Sequence, residues 1–332
     1  MKIIFSESSN LNNSVYGNCQ APIKMFLEKR GEEFEQNSVL KNLFLMGSSK
    51  NHGDVMTTLT AMSGFEPVGE NGAYPLDGMQ EGYQKFLKYQ TWKDSFSVSK
   101  EMIEDGKLLD MRKQPAAFMT SYKRTRELFG AALYGAAMMG NGSVTFKGVK
   151  FDLTGADGSN LFAKEHVPKV SGDKQCNCFK DAFSVDTLGK LEAKMHLFRG
   201  DNDEILDVAP DTILIPENAD LKKAVFAAIG ADKDPVSANN AFNYQYGRWN
   251  VIVWPYLNHY ITNGVSPWVL LDSKYNETYG GAVWNDRIQL EARSTIDENT
   301  DANVWRGRSR FNACFNDWRF AAIGGIAAGN SL

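Results

Sequence analysis

The chain has 332 residues, of which 43% are hydrophobic and 23% charged, and this ordinary composition excludes general disorder. Its 36 basic and 40 acidic side chains give a formal net charge of -4, which argues against a protein whose main task is to grip nucleic acid. No apolar stretch is long enough to span a membrane, and no apolar secretion signal follows Met1. The four scattered cysteines are therefore expected to be reduced cytoplasmic thiols.

The first two segments are predicted to be an arm and a hairpin. Residues 1–52 form an arm with little core of its own, with one helix from Pro22 to about Arg30. Residues 53–100 contain a Thr-rich strand, a turn-rich tip and an alternating strand from Tyr83 to Val98, which predict a projecting β-hairpin. An isolated hairpin is marginally stable, so its edges are expected to need a second copy of the chain. The aromatic residues predicted to lie between subunits are Tyr74, Tyr83, Tyr89 and Trp92.

A long amphipathic helix, at about 115–139, dominates the next segment, residues 101–206. Pro115 suits the first turn of a helix, and Gly140-Asn141-Gly142 suits its end. Apolar residues recur at spacings of three and four, and the predicted core positions are Phe118, Tyr122, Phe129 and Leu133. The remainder, 141–204, is rich in loops and contains one further helix, Ser184 to Leu197.

The last two segments are predicted to be an α/β lobe and two long strands. The lobe, residues 207–270, has apolar strands at 212–215, 250–254 and 268–271 and a helix from Ala219 to Ile229. Residues 271–332 contain two long strands that we expect to lie against the long helix. The second of these strands carries Arg306, Arg308 and Arg310 on one face.

The same three arginines are the one periodic basic feature of the chain. They suit either phosphate groups or acidic side chains of a neighbouring subunit. Because the total charge is acidic, we expect the neighbouring subunit and assign the three arginines to the contact between subunits.

Motifs for catalysis, cofactors or metals are not found. The four histidines have no HExxH or HxH spacing, and no phosphate-binding glycine loop or GxSxG elbow is present. Cys176, Cys178 and His166 are the one conceivable metal group, but they lack CxxC spacing and a fourth ligand, so a loop with two thiols is the preferred interpretation. We therefore predict no enzyme activity, no cofactor and no metal.

The order of these parts resembles the major capsid proteins of tailed double-stranded DNA bacteriophages, with the Hong Kong 97-type fold, and more narrowly the Mu-like major head subunits. Five stretches carry the resemblance. Tyr89 to Asp105 is similar to the return strand of the family's E-loop hairpin leading into its spine helix, and Asn160 to His166 is similar to a short segment of Mu-like heads. The strands at 211–218 and 250–256 are similar to the axial domain, and Arg306 to Gly324 is similar to the closing strands of the peripheral domain.

This resemblance implies an α+β fold with an N-terminal arm, an E-loop hairpin, a peripheral domain containing the long helix, and an axial domain. It implies a structural subunit that assembles as hexamers and pentamers into an icosahedral virion head, made in the host cytoplasm. The implied partners are other copies, a portal, scaffolding and decoration proteins, and packaged DNA through weak, non-specific contact, with no membrane. Two alternatives stay open: an encapsulin-like nanocompartment shell and an aromatic-rich protein that binds or hydrolyses carbohydrate.

Overall fold

The computed structural model describes residues 3–7, 17–59, 65, 67–70, 72–74, 76, 81–105, 108–230, 243–262 and 264–332. Helices and strands both contribute largely, so the predicted α+β class is confirmed. The helices are α1 Gly17–Gln36, α2 Leu40–Leu43, α3 Lys100–Glu104, α4 Leu108–Met138, α5 Val185–His196, α6 Ala219–Ile229 and α7 Ser273–Tyr279. The strands are β1 Ile4–Glu7, β2 Leu45–Ser48, β3 Gly53–Leu59, β4 Glu81–Lys88, β5 Gln90–Val98, β6 Ser143–Phe146, β7 Val149–Asp152, β8 Thr212–Ile215, β9 Asn250–Val253, β10 Trp268–Leu271, β11 Ala282–Ile296, β12 Asn303–Phe315 and β13 Ala321–Gly324.

The long helix α4 has 31 residues and begins earlier than the sequence predicts. Pro115 therefore lies inside the helix, not in its first turn, and it is buried. A proline inside a helix removes one backbone hydrogen bond. Burial of the apolar face of α4 outweighs this local preference, as tertiary packing often does.

The largest sheet has the order β1-β11-β12-β5, with β2 also paired to β11. β11 is antiparallel to β12 and parallel to β1 and β2, and β12 is antiparallel to β5. One face of this sheet packs on α4, as predicted: Phe118 of α4 shares a core cluster with Leu290 and Trp305, and Phe129 contacts Trp284 and Phe311. The other face is the more polar one.

The predicted hairpin is present but shorter than expected. β3 and β4 form a two-stranded antiparallel sheet, in which Asp54 lies opposite Leu87. The return strand breaks at Tyr89, and its second half, β5, joins the large sheet beside β12. Alternation alone cannot show such a change of partner, because both halves keep the two-residue period of a strand.

The predicted lobe contains a four-stranded sheet of order β13-β10-β8-β9. Helix α6 has the predicted bounds, and the side chain of Asn218 caps it by accepting from the backbone N–H groups of Asp220 and Leu221. The sequence places residues 321–324 with the long strands of the other segment. The structure instead pairs them with β10, so the C-terminal chain returns to the lobe.

The N-terminal segment packs on its own chain instead of standing free. Ile23, Leu27 and Phe34 of α1 are buried, and β1 and β2 both add to the large sheet. The prediction of an arm with little core was wrong for these described residues. The buried stripe of α1 has the three- and four-residue spacing of a helix face, but Gln20 and Gly31 belong to it and interrupt its apolar pattern.

Candidate assembly surfaces

The hairpin of β3 and β4 is fixed to the body at its base by Asp54. The Asp54 carboxylate accepts hydrogen bonds from Ser49 Oγ at 2.9 Å, Asn51 Nδ2 at 3.0 Å, Asn285 Nδ2 at 3.3 Å and the Tyr89 hydroxyl. Burial works to raise the pKa of Asp54, but these donors outweigh it and hold the pKa below its ordinary value. The base of the hairpin is therefore held by hydrogen bonds that converge on one charged carboxylate.

Further contacts hold the hairpin along β4. Lys85 Nζ lies 3.1 Å from Asp152 Oδ2, and Lys169 Nζ donates to the carbonyl of Gly82 at 2.6 Å. The Tyr83 hydroxyl donates to the Val167 carbonyl at 3.4 Å. β4 is thus fastened to the segment between β7 and α5.

The exposed side of the hairpin carries an apolar pair between the polar side chains of Gln84 and Lys88. Val55 and Phe86 lie directly opposite each other and are 59% and 58% exposed. At the tip, Phe65, Tyr74 and Leu76 are almost fully exposed. Adjacent apolar groups that remain in water mark a surface for another protein. Tyr74 and the half-buried Tyr83, two of the aromatic residues that the sequence predicts between subunits, belong to this hairpin.

The other two predicted aromatic contacts lie inside the chain. Tyr89 is buried and bonds to Asp54, and burial followed by Asp54 raises the pKa of its hydroxyl. Trp92 stacks on Phe311 with ring centroids 5.3 Å apart. The Tyr89 ring is therefore used within its own chain. Trp92 is half-buried, because β5 belongs to the large sheet and turns this ring toward the core, and its contact with a neighbouring subunit stays a prediction.

The predicted core positions of the long helix are buried or half-buried, and they belong to two core clusters. Phe118, Phe129 and Leu133 are buried, and Tyr122 is half-buried with its hydroxyl 3.2 Å from Arg126 Nη1. Phe129 is the centre of an aromatic cluster. Five aromatic rings lie within 6.0 Å of the Phe129 ring, centroid to centroid, namely those of Trp92, Phe146, Phe151, Trp284 and Phe311.

Two buried ion networks, which the sequence reasoning missed, join separate parts of the chain. Arg126 on α4 makes a bidentate contact with Asp286 on β11, at 2.8 and 3.1 Å, and its guanidinium lies 4.8 Å from the Trp284 ring. Burial opposes the Arg126 charge, but Tyr122 and Asp286 outweigh it and raise the Arg126 pKa. No sequence signal reveals this pair, because 160 residues separate its members.

The second network involves Arg319 near the C-terminus. Arg319 Nη2 donates to Asp201 at 2.8 Å, its Nη1 lies 3.3 Å from Asp317, and Asp317 also accepts from the Tyr275 hydroxyl at 2.8 Å. Asp201 belongs to the acidic turn 201–204. In the structure it has a guanidinium partner, and its side chain is buried.

His166 is engaged away from the two cysteines. Its Nδ1 lies 2.7 Å from Asp157 Oδ2, its Nε2 lies 3.0 Å from Asn177 Oδ1, and its ring stacks on Trp318. Within the described parts of the chain, no three His, Cys, Asp or Glu side chains are grouped so that they could hold a metal ion. In the same parts, no helix is both long enough and apolar enough to cross a membrane.

The three predicted arginines share the outer face of the large sheet. Arg306 and Arg308 are exposed, and Arg310 is half-buried. Arg308 Nη1 lies 3.7 Å from Glu291 Oε2 on β11, and both side chains remain partly exposed. An exposed pair at this distance contributes little to stability.

The class of protein follows from a comparison with protein families. The family described as "Phage capsid protein" matches residues 83–324. This range covers well over half of the chain, from the hairpin's return strand to β13, so the chain belongs to the phage capsid protein family and is a structural capsid protein. The described hairpin, long helix, lobe and paired long strands occur in the order that the Hong Kong 97-type fold predicts.

Solved structures of similar overall shape share little sequence with the chain. A structure from Mycobacterium phage Patience is 13% identical with a TM-score of 0.47, over 100% of this chain and 94% of that one. The mature capsid of bacteriophage PhiM1 is 7% identical with a TM-score of 0.48, over 88% of each chain. A virus-like particle from Pyrococcus furiosus is 10% identical with a TM-score of 0.46, over 91% of this chain and 97% of that one. Similarity at this level adds nothing to the family match, and no curated protein sequence matches the chain.

Proposed function

We propose that the chain is the major shell subunit of a tailed phage, assembling as hexamers and pentamers into an icosahedral head around double-stranded DNA. The family match supports the structural role. In this role the subunit carries out no catalysis and needs no cofactor. Its final location is the virion, and its assembly takes place in the host cytoplasm.

The observation that carries self-assembly is the exposed hairpin. β3 and β4 pair with each other and with no other strand of the described chain, so each leaves one edge open. Open edges are templates for further pairing, and the exposed Val55 and Phe86 add an apolar surface beside them. A second copy of the chain covers both features when the hairpin lies across its neighbour. Because Val55 and Phe86 are 59% and 58% exposed, covering the rest of each side chain contributes about 1 to 2 kcal/mol at every such contact.

The proposal assigns the hairpin of β3 and β4 to the E-loop and residues 207–270 to the axial domain. It assigns β5 and the N-terminal strands β1 and β2, which lie in the large sheet, to the peripheral domain. Tyr74 and Tyr83 are the proposed aromatic contacts between subunits. The further proposed partners are a portal, scaffolding and decoration proteins, and the packaged DNA. The narrower resemblance to Mu-like head subunits belongs to the same proposal.

Electron microscopy of the purified chain tests the proposal directly. We expect closed particles tens of nanometres across from the wild-type chain, since interlocked interfaces of obligate assemblies bury more than about 2,000 Å². A wild-type chain that remains a monomer or dimer at high concentration refutes the shell function. Particles built around an encoded cargo enzyme, with no portal gene nearby, support the encapsulin-like alternative instead.

A pair of variants then tests the role of the hairpin. Deleting Val68 to Gly82, or replacing both Val55 and Phe86 by serine, should leave the lobe folded but abolish shells. The matched control is Ile205→Ser, which removes an equally exposed apolar side chain, 54% accessible, away from the hairpin. Circular dichroism checks folding in each variant. Intact shells from both hairpin variants would show that the hairpin does not hold neighbours together.

A further inference from the structure

The outer face of the large sheet, the face turned away from α4, concentrates positive charge. On β12, Arg306 lies opposite Arg293 of β11 and Ser95 of β5, and Arg308 lies opposite Glu291 and Lys93. Residues directly opposite each other on adjacent strands share a face. We call this surface the cationic face, and its five cations are Lys93, Arg293, Arg306, Arg308 and Arg310.

The cationic face is poorly neutralised within its own chain. Glu291 is the one carboxylate that the strand register places on it among the described residues, and it pairs with Arg308 at 3.7 Å. Asp94 lies at the rim but faces α4, where it accepts from Ser121 Oγ at 3.2 Å. The chain as a whole has a net charge of -4, so this face departs from the rest of the molecule in sign.

The positive charges of the cationic face also repel one another. Burial, followed by the charges of Arg287 and Arg308, lowers the pKa of Arg310. Like charges close together raise the free energy of the isolated chain. An anion on this face removes that repulsion, and an extended anion removes it for the whole row at once.

The side chains between the cations distinguish the kind of anion. Protein interfaces are centred on aromatic and apolar residues and are depleted in charge at their core. The cationic face has hydroxyl groups between its cations, from Thr91 and Ser95 of β5 and Ser6 of β1, and its exposed apolar residue is Ile4 at the edge. Arginine, lysine and hydroxyl side chains are the usual partners of nucleic-acid phosphates.

The shape of the face fits an extended chain of phosphates. Cations two residues apart on one strand are about 6.8 Å apart, and neighbouring strands are about 4.8 Å apart. Lys93, Arg293, Arg306 and Arg308 line a groove of about 850 Å³, together with the carboxylates of Asp94 and Glu291. Four cations against two carboxylates leave the groove positive. Total charge favoured an acidic neighbouring subunit, but the clustering of the cations and the lack of exposed aromatic anchors reverse that preference.

We infer that the cationic face binds the phosphate backbone of double-stranded DNA, through charge and without reading sequence. The inference rests on the proposed function, which supplies the DNA. Contact through a few cations per subunit is weak and sensitive to salt, as suits DNA that must enter and leave the head.

The test measures binding of the unassembled full-length chain to a short, mixed-sequence DNA duplex by fluorescence anisotropy over a series of salt concentrations. Each phosphate neutralised contributes about 0.9 to the slope of log affinity against log salt. Replacing Arg306, Arg308 and Arg310 by glutamine should therefore reduce that slope by roughly 2 to 3 units. The control replaces Lys164, Lys180 and Lys190, three exposed lysines off this sheet, by glutamine and changes the net charge equally. Its slope should stay within about one unit of the wild type.

Three results would overturn the inference. The first is a wild-type chain that does not bind DNA at low salt. The second is an equal loss of slope in both triple variants, which assigns binding to net charge alone. The third is an arginine variant that binds DNA as the wild type does but no longer forms shells, which assigns the face to a neighbouring subunit. The shell function itself is tested separately, by electron microscopy of the particles that the wild-type chain does or does not form.

Discussion

Truncation of Phe129 is the sharpest test of how the long helix is held. Phe129 is fully buried at the centre of five aromatic rings. Phe→Ala in a core costs about 3 to 5 kcal/mol, and each aromatic pair adds about 0.5 to 1.5 kcal/mol beyond its buried area. Because several pairs are lost together, we expect Phe129→Ala to lose about 5 kcal/mol. Phe129→Leu keeps much of the volume and should lose about 1 to 2 kcal/mol.

Urea unfolding of the unassembled chain measures both losses. A domain has only about 5 to 15 kcal/mol of stability in total, so the alanine variant is expected to approach the limit of folding. Phe129→Asp places a charge in the same site and should not fold at all. Arg124→Ala, an exposed change on the same helix, is the control and should stay within about 0.5 kcal/mol of the wild type. If Phe129→Asp is soluble, folded and unassembled, this side of the helix faces a neighbour and the reasoning is wrong.

Two further changes test single features of the core. The Glu127 carboxyl accepts hydrogen bonds from Ser38 Oγ and Trp254 Nε1, and burial raises its pKa. In the native state the carboxyl therefore stays protonated at pH values above its ordinary pKa of 4.5. The stability that Glu127 contributes is therefore greatest below pH 4.5 and falls as pH rises through the native pKa. In urea unfolding at stepped pH, a Glu127→Gln chain should lack that fall. Identical pH profiles for the variant and the wild type would contradict this reasoning. Gly307→Ala should lower the stability measured by thermal unfolding by about 1 to 3 kcal/mol, because an added Cβ would lie 2.2 Å from Cζ of Phe118. An unchanged melting temperature would show that the Phe118 ring moves freely.

The lobe was the part of the fold that the sequence predicted best. Thr212–Ile215 and Trp268–Leu271 are short apolar runs with clear boundaries, and both are fully buried strands. The predicted helix from Ala219 to Ile229 has the bounds of α6, and Asn218 fixes its start because the side-chain oxygen satisfies free backbone N–H groups. These signals are local, so a single sequence contains all the information they need.

The features that sequence reasoning missed depend on contacts between distant residues. β13 has the same apolar pattern whether it pairs with β10 or with a long strand, and only the folded chain selects β10. Likewise, Trp92 has the same alternation in a hairpin as in the large sheet. The cationic face combines Lys93 with Arg293 and Arg306, which lie on three strands, so the row on β12 showed only part of it.

The distribution of aromatic side chains explains how one chain can be both a stable subunit and a reversible partner. The rings around Phe129 are used within the chain, where they join α4 to β5, β7, β11 and β12. Among the surfaces that stay exposed are the hairpin, with Val55 and Phe86, and the cationic face. Apolar hairpin contacts can hold neighbours strongly, whereas exposed charges contribute weakly and respond to salt. The proposed contacts between subunits and the proposed contacts with DNA can therefore be tested separately, by changing Val55 and Phe86 or the arginines of β12, without disturbing the core that keeps the subunit folded.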